Sequence, residues 1–388
     1  MKTHILIFLA ISIIFVSCRN DIITKTKTPE EVFLAFWKSM DETYVYFDEH
    51  NIDWDSIFNV YYPQAQAAKT DFDIFKILTE IIPPFADGHL SLTGYLQYVE
   101  PNFENPNKEL YPKELYPIST DGSFTIYTTR SDRDTLDWDW FNKKTEKTIE
   151  NSGFLPVSLP LECYQHKTKN YAIIVLYAMG DGRAEYHYLE PDYKNLDYVN
   201  TTPEKFYQCL NKLNYSDGLI IHNTRNVGGI YTTEMVMPFF TGERVFGYSV
   251  YKTGAGRKDF SEKIPQTMQG KGLVPENVPV IVLTGPYTYS AGNCFSYSMK
   301  DLPNCTLIGK KTGGGGGAIR KTLLPNAWQL TRSYMKLYSS QSENMEYPLM
   351  PDIYVQKMNL TYNRDTTSES DVILRAIEFL DSINNFSF

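Results

Sequence analysis

The 388-residue chain has few of the patterns that build metal, nucleotide or nucleic-acid sites. Its six histidines are scattered and no HExxH pattern occurs, so a zinc hydrolase is not expected. Its five cysteines include no CxxC pair. Lysine and arginine total 37 against 46 acidic residues, and the net charge of −9 argues against a nucleic-acid surface. We expect no metal, no other cofactor and no nucleic-acid partner.

The sequence also contains no apolar stretch long enough for a typical transmembrane helix. The apolar run over residues 5–16 is too short to cross a bilayer but suits the core of a signal peptide. It ends at Ser17-Cys18, and a small residue before a cysteine at this place resembles a bacterial lipoprotein box. The alternative is an ordinary secretory signal with a chance cysteine. We expect residues 1–18 to be a lipoprotein signal peptide, with lipid attached at Cys18 and the chain anchored in the cell envelope, either in the periplasm or at the outer membrane.

Residues 19–92 predict a polar tether followed by a small helical domain. Thr28 suits a helix N-cap and Glu31 completes a capping box, after which apolar residues recur at helical spacing. A similar apolar stripe covers residues 70–82. Residues 93–168 are polar and rich in proline, tyrosine and asparagine, and predict a β-rich or irregular insertion.

Residues 169–388 predict an α/β core. Near-continuous apolar strand runs alternate with helical stretches, which is typical of a mostly parallel sheet with helices on both faces. The predicted strands are residues 170–178, 217–224, 278–285 and 306–309, and the predicted helices are 202–213 and a final one over 369–383.

Two strand ends in this core carry candidate site residues, since ligands of open α/β sheets bind beyond the carboxyl ends of strands. Ser290 follows the strand at 278–285 and begins a helical stretch, where free N–H groups favour negative charge. Gly228 and Gly229 follow another strand and would let backbone N–H groups approach a substrate carbonyl, with Ala291 as a further donor. The alternatives are a serine N-cap and a plain glycine turn.

The order of motifs along the chain resembles the tail-specific protease family, serine peptidases that include the C-terminal processing proteases and the tricorn core domain. The motifs are ADGHLSL (86–92), DGLIIHNTRNVGG (217–229), LTGPYTYSAGNCF (283–295), LIGKKTGGGGG (307–317), LPNAW (324–328) and MPDIYV (350–355). The N-terminal helical stretch resembles exported Bacteroidetes members of the family. The resemblance implies a crotonase-like core and makes Ser290 the nucleophile.

The resemblance also implies a Ser-His-(Glu) arrangement instead of a Ser-Lys dyad. The lysine of the C-terminal processing proteases would fall near Gly315, so it is absent. His89 matches the general base of the tricorn type, and Glu346 is the best match for its assisting glutamate. A neutral histidine takes the proton of a serine hydroxyl, and a carboxylate fixes the imidazole tautomer. The glycine run at 313–317 does not fit GxxxxGK[ST], and we expect a flexible, substrate-facing loop there.

Several positions depart from the family's patterns. His222 and Thr224 replace Asp and Arg in D-x-R-x-N-x-GG, and Asn293 replaces Glu in S-A-x-E. Gly88 stands where tricorn has an orienting serine, and no PDZ signature is legible in 93–168. Departures of this kind are expected in an enzyme with weakened or lost catalysis.

The sequence therefore predicts an exported, lipid-anchored serine peptidase that cleaves peptides or unfolded protein segments through an acyl-enzyme. One alternative is a catalytically weakened or inactive peptide-binding lipoprotein on the same fold. Another is a glycan- or nutrient-binding lipoprotein with an unrelated mechanism. A hydrogen-bond distance between His89 Nε2 and Ser290 Oγ would favour the peptidase.

Overall fold

The structure is a computed structural model and describes residues 27–96, 122–128, 146–180, 201–254, 256–356 and 368–385. The predicted signal peptide, its lipid-attachment residue Cys18 and part of the predicted insertion lie outside these residues. Within the described ranges, no helix combines the length and the apolar character that a bilayer crossing needs.

Three helices begin the described chain: α1 (Pro29–Thr43), α2 (Trp54–Ala67) and α3 (Asp71–Ile81). The predicted capping box forms at the start of α1. Thr28 Oγ1 accepts from the Glu31 N–H at 3.2 Å, and the Glu31 carboxylate accepts from the Thr28 N–H at 2.9 Å. These two bonds satisfy N–H groups that a helix start leaves without partners.

The three helices pack on an antiparallel sheet that the sequence did not indicate. Its strands are β1 (Ser91–Tyr95), β2 (Ser123–Tyr127), β7 (Glu243–Tyr251), β8 (Ile264–Gln269), β11 (Ala318–Leu323) and β12 (Gln329–Ser339). The strand order is β2-β1-β12-β7-β8, with β11 also paired to β12. Helical Phe36 and Phe75 share one hydrophobic core with Leu92, Trp328 and Leu330 of the sheet. Residues far apart in the chain thus form this layer together.

A second sheet forms the α/β core. Its strands are β3 (Phe154–Ser158), β4 (Glu162–His166), β5 (Tyr171–Val175), β6 (Gly218–His222), β9 (Val280–Thr284), β10 (Cys305–Gly309) and β13 (Ile353–Tyr354). The order is β13-β10-β9-β6-β5-β4-β3. The first five strands run parallel, whereas β4 and β3 are antiparallel, so the sheet is mixed and mostly parallel. The predicted boundary between residues 168 and 169 falls between β4 and β5, which pair with each other.

Helices cover both faces of this sheet because its central strands bury side chains on both sides. One face packs against α4 (Pro203–Lys212), α5 (Thr232–Val236) and α6 (Ala291–Lys300), through Phe206, Met235 and Phe295. The other face packs against α7 (Ser368–Asn385), through Val372, Ile373 and Leu380. The parallel strands β6, β9 and β10 therefore end together at one edge, where the loops that follow them meet.

Candidate active site

Ser290 lies between β9 and α6 in a backbone conformation that few residues adopt. Its φ is 54° and its ψ is −124°, outside the regions favoured by residues with a side chain. Its side chain makes no capping hydrogen bond to α6, so an N-cap role does not account for it. The turn is held by its backbone: Ser290 N–H donates to Gly314 O at 3.0 Å, and Tyr289 N–H donates to Asn226 O at 2.9 Å. Such strain at one rigidly held residue is typical of functional sites.

His89 reaches this serine from the antiparallel layer. Its Nε2 lies 3.0 Å from Ser290 Oγ, within the reach that a base and a nucleophile need. The buried carboxylate of Asp87 accepts from the His89 N–H at 2.7 Å, and Thr128 Oγ1 donates to Asp87 O at 2.6 Å. The His89 ring also packs on Tyr289, with 5.1 Å between ring centroids. Two distant parts of the chain thus meet in one Ser-His pair.

Gly228 and Gly229 lie beside Ser290 with φ values of 112° and 142°. A Cβ on Gly228 would lie 2.6 Å from Ser290 Cβ, and one on Gly229 would lie 2.0 Å from a backbone oxygen, so neither position has room for a side chain. The Gly228 N–H donates to Asn226 Oδ1 at 3.0 Å. This differs from the predicted oxyanion role of Gly228, because its donor is engaged within the protein. Gly229 and Ala291 remain as candidate donors, and Ala291 occupies the first helical position, where an N–H has no intrahelical acceptor.

Glu346 is buried near the Ser-His pair, and its carboxylate faces a second histidine. Glu346 Oε1 lies 3.6 Å from His50 Nε2, and Oε2 accepts from the Gly317 N–H at 3.3 Å. Burial raises the pKa of Glu346 to about 7, although the adjacent His50 acts in the opposite direction. The sequence predicted Glu346 as a partner of His89, but gave no signal for His50, which lies in the loop between α1 and α2.

Asp87 completes a buried polar group with these two residues. One side-chain atom each of His50, Asp87 and Glu346 lies within 4.8 Å of the other two. Asp87 is fully buried, and Ser333 Oγ donates to its Oδ2 at 3.3 Å. Histidine and carboxylates are donor types that also hold zinc, but His50 faces one carboxylate here and Ser333 donates to the other. The charge pairing of His50 with Glu346 and the hydrogen bond from Ser333 to Asp87 hold the group together.

The glycine run at 313–317 is buried, in contrast to the flexible loop expected from its composition. Gly315 N–H donates to Glu346 O at 3.0 Å, and a carbonyl of the run accepts from Ser290 N–H at 3.0 Å. A Cβ on Gly315 would lie 2.1 Å from the Tyr289 ring, so the place aligned with a dyad lysine has no room for any side chain. The run joins the turn of Ser290 to the segment of Glu346.

Asn293, one of the departures from the family pattern, holds the same segment from α6. Its Nδ2 donates to Met345 O at 2.7 Å, and its Oδ1 accepts from Thr312 Oγ1 at 2.6 Å. A glutamate lacks the donor for the first bond. His222 and Thr224, two further departures, are buried at the end of β6 with 3.5 Å between His222 Nδ1 and Thr224 Oγ1.

Comparison with known proteins agrees with this architecture. Residues 170–355 match the model of Peptidase family S41, and residues 26–82 match the Tricorn protease C1 domain. A peptidase candidate from Parabacteroides merdae ATCC 43184 has a similar structure, with 23% identity, a TM-score of 0.63 and coverage of 91% of this chain and 97% of its own. No curated protein sequence matches the chain.

Two further solved structures share the fold at lower identity. Mature CPAF is 12% identical, with a TM-score of 0.56 and coverage of 93% of this chain and 99% of its own. A lipoprotein from Streptococcus agalactiae is 14% identical, with a TM-score of 0.53 and coverage of 92% and 97%. These likenesses extend over both sheets, since each covers more than nine tenths of the chain.

Proposed function

We propose that this chain, a hydrolase of the S41 serine peptidase family, cleaves peptide bonds through an acyl-enzyme formed by Ser290 and His89. The observation that carries the proposal is the 3.0 Å distance between His89 Nε2 and Ser290 Oγ. A serine hydroxyl is a weak nucleophile until a base at this distance accepts its proton. The substrates are peptides or unfolded segments of proteins.

The reaction uses the pair in two half-reactions. Neutral His89 accepts the proton of Ser290 Oγ while this oxygen attacks the carbonyl carbon of the scissile bond. The N–H groups of Gly229 and Ala291 stabilise the oxyanion that forms. His89 then donates the proton to the leaving amine, and the peptide C–N bond breaks. Water, deprotonated by His89, hydrolyses the acyl-enzyme and restores the serine.

The proposal includes export and lipid attachment at Cys18. Its support is the apolar run over residues 5–16 followed by Ser17-Cys18, together with the resemblance to exported Bacteroidetes members of the family. Mass spectrometry of the protein from its native envelope tests this part. The mature chain is expected to begin at a diacylated or triacylated Cys18, and a free, unmodified N-terminus at another residue would contradict it.

A fluorophosphonate probe tests the catalytic part. Wild-type protein is expected to form a covalent adduct at Ser290 and to hydrolyse unfolded casein, whereas Ser290→Ala loses both. Ser298→Ala is the matched control, because Ser298 is a buried serine of the same helix α6. A folded wild-type protein that binds peptides but shows neither the adduct nor hydrolysis would favour the alternative of a peptide-binding lipoprotein.

A further inference from the structure

His50 lies beside Glu346 and Asp87 and has no part in the reaction described above. We propose that His50 and Asp87 are positioning residues through which the buried carboxylate of Glu346 supports His89. This inference rests on the proposed function, because it concerns the base of that reaction. It adds a second histidine and an aspartate to the three side chains that sequence resemblance assigns.

Glu346 pairs with His50 in the buried interior. The side chain of Glu346 is 5% exposed and that of His50 is 16% exposed, and 3.6 Å separates Oε1 from Nε2. A carboxylate buried to this degree needs a partner with a positive charge or a donor. A protonated His50 supplies the positive charge, while the Gly317 N–H donates to the other oxygen of the carboxylate.

Asp87 links this pair to His89. Its carboxylate lies in the same group as His50 and Glu346, and its Oδ1 accepts from the His89 N–H at 2.7 Å. Leu90 N–H donates to Asp87 O at 2.9 Å and closes the turn that carries the histidine. A change of charge or position at Asp87 therefore acts directly on the backbone of His89.

The charge of this group depends on His50. The charge of Asp87 lies close to Glu346 in a buried space, and it raises the pKa of Glu346 unless a cation compensates it. Burial lowers the pKa of His50, but the adjacent carboxylates of Glu346 and Asp87 outweigh it, so the pKa of His50 is raised overall. A protonated His50 keeps carboxylate charge available beside His89, where an imidazolium forms during the reaction.

The remaining titratable groups around the three residues do not replace His50. Lys336 of β12 lies 5.6 Å from the Tyr46 ring, but its Nζ lies 2.5 Å from Glu49 Oε1, so Glu49 compensates its charge. Burial raises the pKa of Tyr44 and of Tyr46 well above the ordinary value, which keeps both phenols neutral. Burial also raises the pKa of Cys294 in α6 to about 12, so its thiol is neutral as well.

The test is the pH dependence of fluorophosphonate labelling at Ser290 in wild-type and His50→Gln protein. The variant is expected to have a maximal labelling rate constant roughly 10- to 100-fold lower, with an unchanged half-saturating probe concentration. Its acid limb is expected to move to higher pH by about one unit, because Glu346 loses the partner that holds its pKa down. A purely structural role of His50 would change the melting temperature and leave the acid limb in place.

Two further variants sharpen the test. Asp87→Asn keeps an acceptor for the His89 N–H but removes the charge, and a similar loss of maximal labelling rate is expected. His166→Gln is the control, since His166 of β4 lies outside the group and its Nδ1 accepts backbone N–H groups at 3.0 and 3.1 Å. It is expected to label like wild type across the pH range.

The outcomes separate this inference from the proposed function. If wild-type protein is not labelled at any pH, the proposed function fails and the inference fails with it. If wild type is labelled, and both His50→Gln and Asp87→Asn match its rate and its acid limb, only the inference is overturned. Slower labelling with a shifted acid limb in His50→Gln, and normal labelling in His166→Gln, supports it.

Discussion

Ser290 and His89 meet at 3.0 Å, but the molecule holds them by different means. The surroundings of Ser290 consist mainly of backbone and uncharged side chains at the edge of the parallel sheet. Thr288 Oγ1 donates to Asn223 O at 2.8 Å and accepts from the Gly285 N–H at 3.0 Å. Together with the bonds from Tyr289 and Ser290 themselves, these contacts fix the turn without an ionised group.

The surroundings of His89 contain buried charge instead. Asp87, Glu346 and His50 lie together behind it, with the ion pair of Lys336 and Glu49 nearby. Each member depends on side-chain contacts between distant parts of the chain, since Glu346 follows β12 and His50 precedes α2. The nucleophile is thus positioned by local backbone geometry, whereas the base is positioned by tertiary electrostatics. We call the turn of Ser290 the Ser290 half of the site, which is uncharged, and the buried group around His89 the charged half. The two halves should therefore respond differently to mutation and to pH.

The largest expected effect comes from removing the base itself. His89→Ala should lower the rate of Ser290 labelling and of casein hydrolysis by roughly 10³- to 10⁴-fold, because the serine proton then has no acceptor. The turn of Ser290 does not depend on the imidazole, so the melting temperature should change little. Labelling of His89→Ala within 10-fold of wild type would show that another group is the base.

Gly228→Ala should displace the turn of Ser290, because the added methyl group would clash with the serine. The new Cβ would lie 2.6 Å from Ser290 Cβ at a φ of 112°, so the serine turn must move. We expect labelling to fall by about 10²-fold, as misplacement by roughly 1 Å does in other enzymes. Gly242→Ala is the matched control, because Gly242 also has a positive φ of 74° but has no atom within 4 Å of the added Cβ. Equal labelling in the two variants would contradict the steric explanation.

The same contrast explains how much of the fold could be predicted. The apolar runs at 217–224, 278–285 and 306–309 correspond to β6, β9 and β10, because buried parallel strands leave a continuous apolar pattern. The antiparallel sheet was missed. Its β1 pairs with β12, with Leu92 opposite Leu330, and no local pattern indicates a partner so distant in sequence.

The candidate site divides in the same way. Ser290 and the glycine pair stand at strand ends, where sequence reasoning can place residues, and the order of motifs pointed to His89. His50 has no such signal, because its role depends on the three-dimensional position of Glu346. The prediction of a flexible loop at 313–317 was wrong for a related reason. The glycine composition suggests flexibility, but the backbone of the run packs against Tyr289 and the Glu346 segment.

The pH dependence of stability should distinguish the charged half from the uncharged half. The pKa of Glu346 is raised to about 7 from an ordinary 4.5. A raised pKa adds stability that is complete below the unfolded value and is lost as pH rises through the folded value. Between pH 5 and pH 8 this group should therefore cost the fold on the order of 2 kcal/mol.

Glu346→Gln should remove most of that dependence, because an amide does not ionise. Urea unfolding at pH 5 and at pH 8 measures the free energy of unfolding for both proteins. Glu343→Gln is the control, since Glu343 is an exposed carboxylate three residues away and should leave the wild-type dependence intact. A Glu346→Gln protein with the full wild-type difference between the two pH values would show that Glu346 does not titrate in this range.

The smallest expected effect concerns the two lysines that follow β10, on the Ser290 half. Burial lowers the pKa of Lys310, which raises the question of a lysine base. The contacts of Lys310 with Thr284 use its backbone, with N–H to Thr284 O at 2.9 Å and its own carbonyl accepting from Thr284 Oγ1 at 2.8 Å, so they survive truncation of the side chain. We expect Lys310→Ala and Lys311→Ala to label Ser290 within about 2-fold of wild type, since His89 already occupies the place of the base. A 100-fold loss of labelling in either variant, with normal labelling in His89→Ala, would show that a lysine after β10 is the general base and that His89 is not.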